Sequence, residues 1–263
     1  MIGIIGGSGL EDPKILKGAR EINIDTPYGQ PSSPIIVGEI GGKKIAIISR
    51  HGKLHQIMPT NVNNRANIWA LKEQGVKHVL ATTACGSLRE EIMPGQIVFP
   101  NQFIDWTSRR SSTFFDKEKV CHIPMADPFC PSLRKILVET AKELKLGHHE
   151  KGTVITIEGP RFSTRAESHL FRKIGGDIIN MSTVPEVVLA REAGMCYQTI
   201  AMATDYDCWK EKDSVEIGTV LQMFKKNVES VKSLMLKAIP KIPFSECNCQ
   251  RHIENAIIKI EED

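Results

Sequence analysis

Short apolar runs rich in Ile and Val recur along this chain, each ending in small or polar residues. They occupy residues 2–5, 45–48, 79–81, 96–99, 153–157, 177–179 and 199–202. Runs of this kind suit strands that are buried on both faces of a sheet. Between several of them lie segments with helical spacing. Residues 61–74 set Ala66, Ile68, Trp69 and Leu71 on one side, and residues 131–144 do the same with Leu133, Ile136, Leu137 and Ala141. Residues 164–173 and 185–193 are two further helical segments, and 214–239 is the longest. Alternating strands and helices predict an α/β fold: a single domain with a central mixed, mostly parallel β-sheet flanked by helices.

With 263 residues the chain can bury a large core, so it needs neither metal nor disulfide merely to fold. Its net charge of +3 is spread without long basic runs, which argues against a nucleic-acid partner. The basic pairs Arg109-Arg110 and Lys225-Lys226 read as solvated faces. The first residues are apolar, with no basic leader or cleavage pattern, and no apolar run approaches the ~20 residues of a membrane span. A cytoplasmic address is the expectation. Seven cysteines, an odd number, read as reduced and buried thiols.

The residues just after the strands carry the chemistry. Residues 2–5 run into Gly6-Gly7-Ser8-Gly9, residues 45–48 into Ser49-Arg50-His51-Gly52, and residues 79–81 into Thr82-Thr83-Ala84-Cys85-Gly86-Ser87. In a parallel sheet these segments emerge at the carboxyl edge, where open α/β sheets bind ligands. Together they offer hydroxyls, backbone N–H groups beside glycines, one guanidinium and one imidazole, a set that suits a phosphate. A dinucleotide loop fits less well. The G-x-G-x-x-G pattern started at Gly7 meets Asp12 where its third glycine belongs.

Downstream stand Ile157-Glu158-Gly159-Pro160-Arg161-Phe162-Ser163, then Asn180-Met181-Ser182-Thr183-Val184-Pro185-Glu186, then Ala203-Thr204-Asp205-Tyr206-Asp207. With these motifs the chain resembles the trimeric purine nucleoside phosphorylase superfamily, and within it the 5′-methylthioadenosine phosphorylases. The likeness runs from the Gly6 loop to about Ile239 and is detailed over residues 82–91, 121–130, 156–162 and 201–211. It implies phosphorolysis of S-methyl-5′-thioadenosine to adenine and 5-methylthioribose 1-phosphate, with inorganic phosphate as co-substrate and neither cofactor nor metal. It also implies a phosphorylase domain over residues 1–240. Residues 241–263 would be a C-terminal extension packed on that domain or on a neighbouring subunit.

Carried over by position, the phosphate site falls on Ser8, Arg50, His51, Thr83, Ala84 and Ser182. Relatives often have Thr at the positions of Ser8 and Ser182, and either residue presents a hydroxyl. Phe162 would lie against the purine with Ser163 beside it, and Met181 under the ribose. Ile217, Val220 and Leu221, spaced to share a helix face, would line an apolar 5′ pocket with His55 nearby. His122 would reach the neighbouring subunit's site in a homotrimer or a dimer of trimers. The resemblance further implies a strained bridge within Cys247-Asn248-Cys249 and a second between Cys130 and Cys196. A zinc site reads less well, because no second cysteine pair with ligand spacing accompanies the first.

Breaking an N-glycosidic bond leaves positive charge on the sugar and negative charge on the departing purine. An anion below the ribose stabilises the first, and a proton or strong hydrogen bond at N7 the second. Asp205 and Asp207, two apart at a strand end, would point the same way. Their proximity or burial would keep one of them protonated. Asp205 is assigned to N7 and Asp207 to the N6 amino group, though the two could exchange. A carboxylate accepts from the adenine amino group and repels a 6-oxo group, so the pair favours adenine. A phosphorylase of broader or 6-oxopurine specificity and a non-catalytic nucleotide-binding module are the alternatives.

Overall fold

The structure, a computed structural model, describes residues 1–6, 15–117, 119–210, 217–244 and 247–258. Ser8 falls outside these residues. So do the side chains of residues 217–222 and 224–226, which include Ile217, Val220, Leu221 and the Lys225-Lys226 pair.

The chain runs β1 (Ile2–Gly6), β2 (Lys17–Ile22), β3 (Ile35–Ile40), β4 (Lys43–Ser49), α1 (Asn64–Glu73), β5 (His78–Ser87), β6 (Ile97–Val98) and β7 (Gln102–Trp106). It continues with α2 (Pro131–Glu143), β8 (His148–His149), β9 (Thr153–Ile157), α3 (Arg165–Lys173), β10 (Ile178–Asn180), α4 (Thr183–Glu192), β11 (Cys196–Asp205) and α5 (Ile217–Ala238). All the strands join one mixed sheet, and helices pack on both of its faces.

Apolar residues fill the runs because both faces need them. Ile2 and Ile4 of β1, with Ile45 and Ile47 of β4, pack into a core shared with Leu137 of α2 and Leu234 of α5. Their alternates Ile5, Ala46 and Ile48 point to the other face, against Ile68 and Leu71 of α1 and Val187 of α4. Burial of this kind contributes roughly 1.5–3 kcal/mol per large aliphatic side chain. α3 closes a third, smaller core through Phe171, over Ile155 and Ile179. Among the described residues no helix is long and apolar enough to cross a membrane.

β1 lies between β4 and β5, parallel to both. β5 is the pivot of the sheet. Its residues 78–81 pair with β1, residues 78–86 run parallel with β11, and Gly86 and Ser87 pair antiparallel with β10. Thr82 to Cys85 thus lie between the stretch paired with β1 and the stretch paired with β10. At this change of partner the sheet opens into a cleft, as α/β sheets do at a topological switch point. β2 and β3 were not legible as strands. β2 (Lys17-Gly18-Ala19-Arg20-Glu21-Ile22) is an exposed edge with charged residues, which discourage edge-to-edge pairing. Ile242 and Cys249 are buried in the core that holds β1 and α5.

Candidate active site

A cavity of about 280 Å³ opens at the carboxyl ends of β4, β5, β9, β10 and β11. Of the residues singled out from sequence, it brings together Arg50, His51, Thr83, Ala84, Phe162, Ser163, Met181, Ser182, Asp205, Asp207 and His55. His122 does not line it. That residue is exposed, and its backbone N–H bonds the Ala256 carbonyl at 2.8 Å.

Arg50 follows β4 and is buried, which would be costly for a lone guanidinium. Its charge is met by Glu186 of α4, fully buried, whose carboxylate accepts from both Nε and NH2. NH1 donates to the Thr82 carbonyl at 2.8 Å, and the Tyr197 hydroxyl donates to Glu186 Oε2 at 2.9 Å. Burial, reinforced by the Glu186 charge, pushes the Tyr197 phenol well above its ordinary range, so it remains a donor. Arg50 is thereby fixed at the cavity wall.

His51 presents a neutral ring. Burial, then the Arg50 charge, lowers its pKa to about 4 against the opposing bond from Ile57. Its Nδ1 lies 2.8 Å from the Ile57 carbonyl, which can only accept, so Nδ1 carries the proton and Nε2 is left as an acceptor. Beside it, Ser182 Oγ donates to Thr83 Oγ1 at 2.9 Å, and Thr83 Oγ1 donates to the Ala84 carbonyl at 2.9 Å. Asn180 is held by Thr156 Oγ1 at 3.0 Å and donates to Thr183 Oγ1 at 2.7 Å, fixing the turn from β10 into α4. The buried Thr82 hydroxyl has no partner among the described residues, although Thr82 lines the cavity.

Across the cavity stand the two aspartates. β11 pairs irregularly with β5 between Ala203 and Asp205 and ends at Asp205. Asp207 lies past the strand in a turn with φ of 51°. Strand alternation therefore does not place Asp207. A left-handed turn, which Asp tolerates, swings it back to the cavity. Ser163 Oγ donates to both Asp207 oxygens at 2.7 and 2.9 Å. Asp205 accepts from Thr204 Oγ1 at 2.7 Å and from the Asp207 N–H at 2.8 Å. Burial raises the Asp205 pKa; the two donors oppose this, and the Asp207 charge adds to it. Gly86 makes room for the pair, since a Cβ there would sit 3.1 Å from Asp205 Oδ1 and 3.3 Å from Asp207 Cβ.

Two further walls of the cavity come from the loops after β9 and β10. Phe162 stands at the mouth, 45% exposed, so its ring face is open to a ligand. Met181 is held against Gly159, where a Cβ would lie 2.5 Å from the Met181 sulfur and where φ is 66°. Arg110 is not part of a solvated basic pair, as its sequence neighbourhood suggests. Its side chain is 3% exposed, pairs with Glu158 at 3.0 Å, and donates to the carbonyls of Met181, Val184 and Glu158 at 2.7, 2.7 and 2.6 Å. Nothing in the Arg109-Arg110 dipeptide signals this. Glu186 belongs to the motif that begins at Asn180, yet its partnership with Arg50 joins residues too distant in sequence for spacing to expose.

No disulfide joins Cys130, Cys196, Cys247 and Cys249 in this structure. They nevertheless meet, with their four sulfur atoms within 4.8 Å of one another.

An α/β fold whose strand tips gather an arginine, hydroxyls and paired acids in one nucleoside-sized cleft matches the phosphorylase superfamily, whose sequence model covers residues 1–240. The S-methyl-5′-thioadenosine phosphorylase of Danio rerio is 58% identical over 247 residues, 92% of this chain and 88% of that protein. The protein of the same name from Thermofilum pendens is 54% identical over 258 residues, 98% of each. The crystal structure of a mutant adenosine/methylthioadenosine phosphorylase from Schistosoma mansoni, in complex with methylthioadenosine, superposes with a TM-score of 0.90. It is 41% identical, and the match covers 97% of each chain. The chain belongs to the phosphorylase superfamily and, within it, to the S-methyl-5′-thioadenosine phosphorylases.

Proposed function

We propose that this enzyme is a pentosyltransferase that cleaves S-methyl-5′-thioadenosine with inorganic phosphate, giving adenine and 5-methylthioribose 1-phosphate. The observation that carries the reading is the shared cavity, with Arg50, Thr83 and Ser182 on one side and Asp205 and Asp207 on the other. The names and the bound methylthioadenosine of the relatives support the same substrate.

In this reading Arg50 supplies the charge for the phosphate, and Ser182, Thr83 and the unpartnered Thr82 hydroxyl contribute hydrogen bonds. Neutral His51 accepts at Nε2 from a protonated phosphate oxygen. Phosphate completes the reaction as co-substrate, and no cofactor takes part. A phosphate oxygen bonds to C1′ as the C1′–N9 bond breaks, and that electron pair moves onto the purine. Protonated Asp205 donates to N7, while Asp207, oriented by Ser163, accepts from the N6 amino group. Phe162 stacks on the base and Met181 contacts the ribose. Ser8 joins the phosphate set, and Ile217, Val220, Leu221 and His55 form the 5′ end.

The assembly we infer is a homotrimer, or two trimers joined, in which exposed His122 enters a neighbour's site. A cytoplasmic address belongs to the same reading, since an odd count of seven cysteines suits a reducing compartment. The test is release of the free base, adenine from methylthioadenosine and adenosine and hypoxanthine from inosine, with and without phosphate. Phosphate-dependent release, fastest with methylthioadenosine, is expected. Release without phosphate, or preference for inosine, would overturn the reading.

A further inference from the structure

Four cysteines that are scattered in sequence converge at one end of the sheet. Cys130 is the N-cap of α2, Cys196 opens β11, and Cys247 and Cys249 come from the C-terminal segment. Cys130, Cys196 and Cys249 are buried and Cys247 is partly buried. Any two of the four sulfur atoms are within 4.8 Å, and Cys130 and Cys247 are 3.8 Å apart. Zinc bonded to four thiolates at about 2.3 Å defines a tetrahedron with edges of about 3.8 Å. A disulfide would need about 2.05 Å. The second ligand pair, which sequence spacing does not offer, is supplied by the fold.

We propose that these four side chains form a structural tetrathiolate site for zinc(II). Four sulfur ligands without an oxygen or imidazole donor select a soft, tetrahedral ion, and a closed set leaves no position for catalysis. Each thiol that still carries a proton releases it to solvent on binding, leaving a complex with two net negative charges. The surroundings suit that charge. The Leu133 N–H, at the start of α2, faces Cys130 Sγ at 3.5 Å, and Gln250 Nε2 faces Cys196 Sγ at 3.9 Å. Buried Arg191 and partly exposed Arg134 line the adjoining cavity of about 520 Å³, which gives the ion a route in. The bound ion would fasten the C-terminal segment to α2 and β11. None of the four cysteines lines the cleft, so this site is independent of the phosphorolysis proposed above.

The experiment uses the full-length protein, purified under reductant, loaded with zinc(II), desalted and analysed for metal. About one zinc per chain is expected. Seven titratable thiols should appear once the ion is chelated under denaturing conditions without reductant. Cobalt(II) in place of zinc should give the visible spectrum of a tetrahedral tetrathiolate. The double variant Cys247→Ser/Cys249→Ser should lose more affinity than the roughly 10–100-fold typical of removing an outer-shell partner. Cys121→Ser should bind as before. The proposal is overturned by a protein that keeps no zinc, or by only three titratable thiols, which would mean two bridges. A cobalt spectrum lacking four thiolates, or a double variant that binds zinc unchanged, would equally overturn it. The cobalt and thiol readouts need no variant, so a double variant that misfolds does not remove the test.

Discussion

The Glu186 carboxylate takes hydrogens from both Nε and NH2 of Arg50, and the Tyr197 hydroxyl donates to the same carboxylate at 2.9 Å. All three groups are buried, so the arginine that faces the cleft is oriented by a network with no slack. Replacing Glu186 with Ala leaves a buried guanidinium without its counter-charge, which costs about 3–5 kcal/mol. Glu186→Gln keeps the shape and one acceptor and should be milder in urea unfolding. Its expected signature is kinetic: KM for phosphate rises more than KM for the nucleoside. Equal effects on both would mean that Glu186 serves only the fold.

In the proposed mechanism Asp205 is the proton donor, a role that suits a carboxyl held above the ordinary range by burial, with the charge of Asp207 adding to the effect. An acid of raised pKa stays protonated to higher pH, so kcat/KM should fall as pH rises through that pKa. Asp205→Asn removes the donated proton and should lower turnover of methylthioadenosine by about a hundredfold or more. It should also flatten that limb of the profile and improve relative use of inosine. Rates on both nucleosides across pH check all three outcomes; an unchanged preference would reassign the residue.

Gly86 has no side chain because there is no space for one. A methyl group would lie 3.0 Å from Ile179 Cγ2 and 3.1 Å from Asp205 Oδ1. Gly86→Ala should therefore displace the acid pair by a few tenths of an ångström while the sheet survives. Displacement of about 1 Å can cost about a hundredfold in rate, so a loss between a few-fold and that figure is expected. The melting temperature should change little. A large drop in melting temperature with full specific activity would contradict this account.

The α/β class and most buried strands were legible because strands covered on both faces leave long Ile and Val runs, as in Ile45-Ala46-Ile47-Ile48. The cleft residues Arg50, Thr83, Ser182, Asp205 and Asp207 were legible through their motifs. Long-range electrostatics were not. Arg110 looks like half of a solvated pair until its guanidinium is seen under the β9 and β10 loops. Asp207 reaches the cleft through a left-handed turn that alternation does not encode. Cys130 and Cys196 carry no ligand spacing; the Cys130 N–H bonds the Tyr197 carbonyl at 2.9 Å, which sets the start of α2 beside β11, and the fold brings both cysteines to Cys247 and Cys249.

Glu158 ties three segments together and should leave a mark on acid stability. Burial pushes its pKa up, but N–H groups of Ser108 and Arg109, the Arg110 guanidinium and the Thr60 hydroxyl outweigh burial and bring it down to about 2. A carboxylate depressed in the folded state stabilises the protein fully above its unfolded pKa, here 4.5. That contribution is lost as pH falls from there through about 2. Denaturant unfolding across this window should show stability falling with acid, and Glu158→Gln should flatten the fall while lowering stability at neutral pH. Because Arg110 also holds the Met181 carbonyl, the variant should loosen the proposed Met181 contact to the ribose and raise KM for the nucleoside more than for phosphate. Parallel slopes for the two proteins between pH 4.5 and 2 would show that Glu158 is not the group whose protonation loosens this end of the cleft.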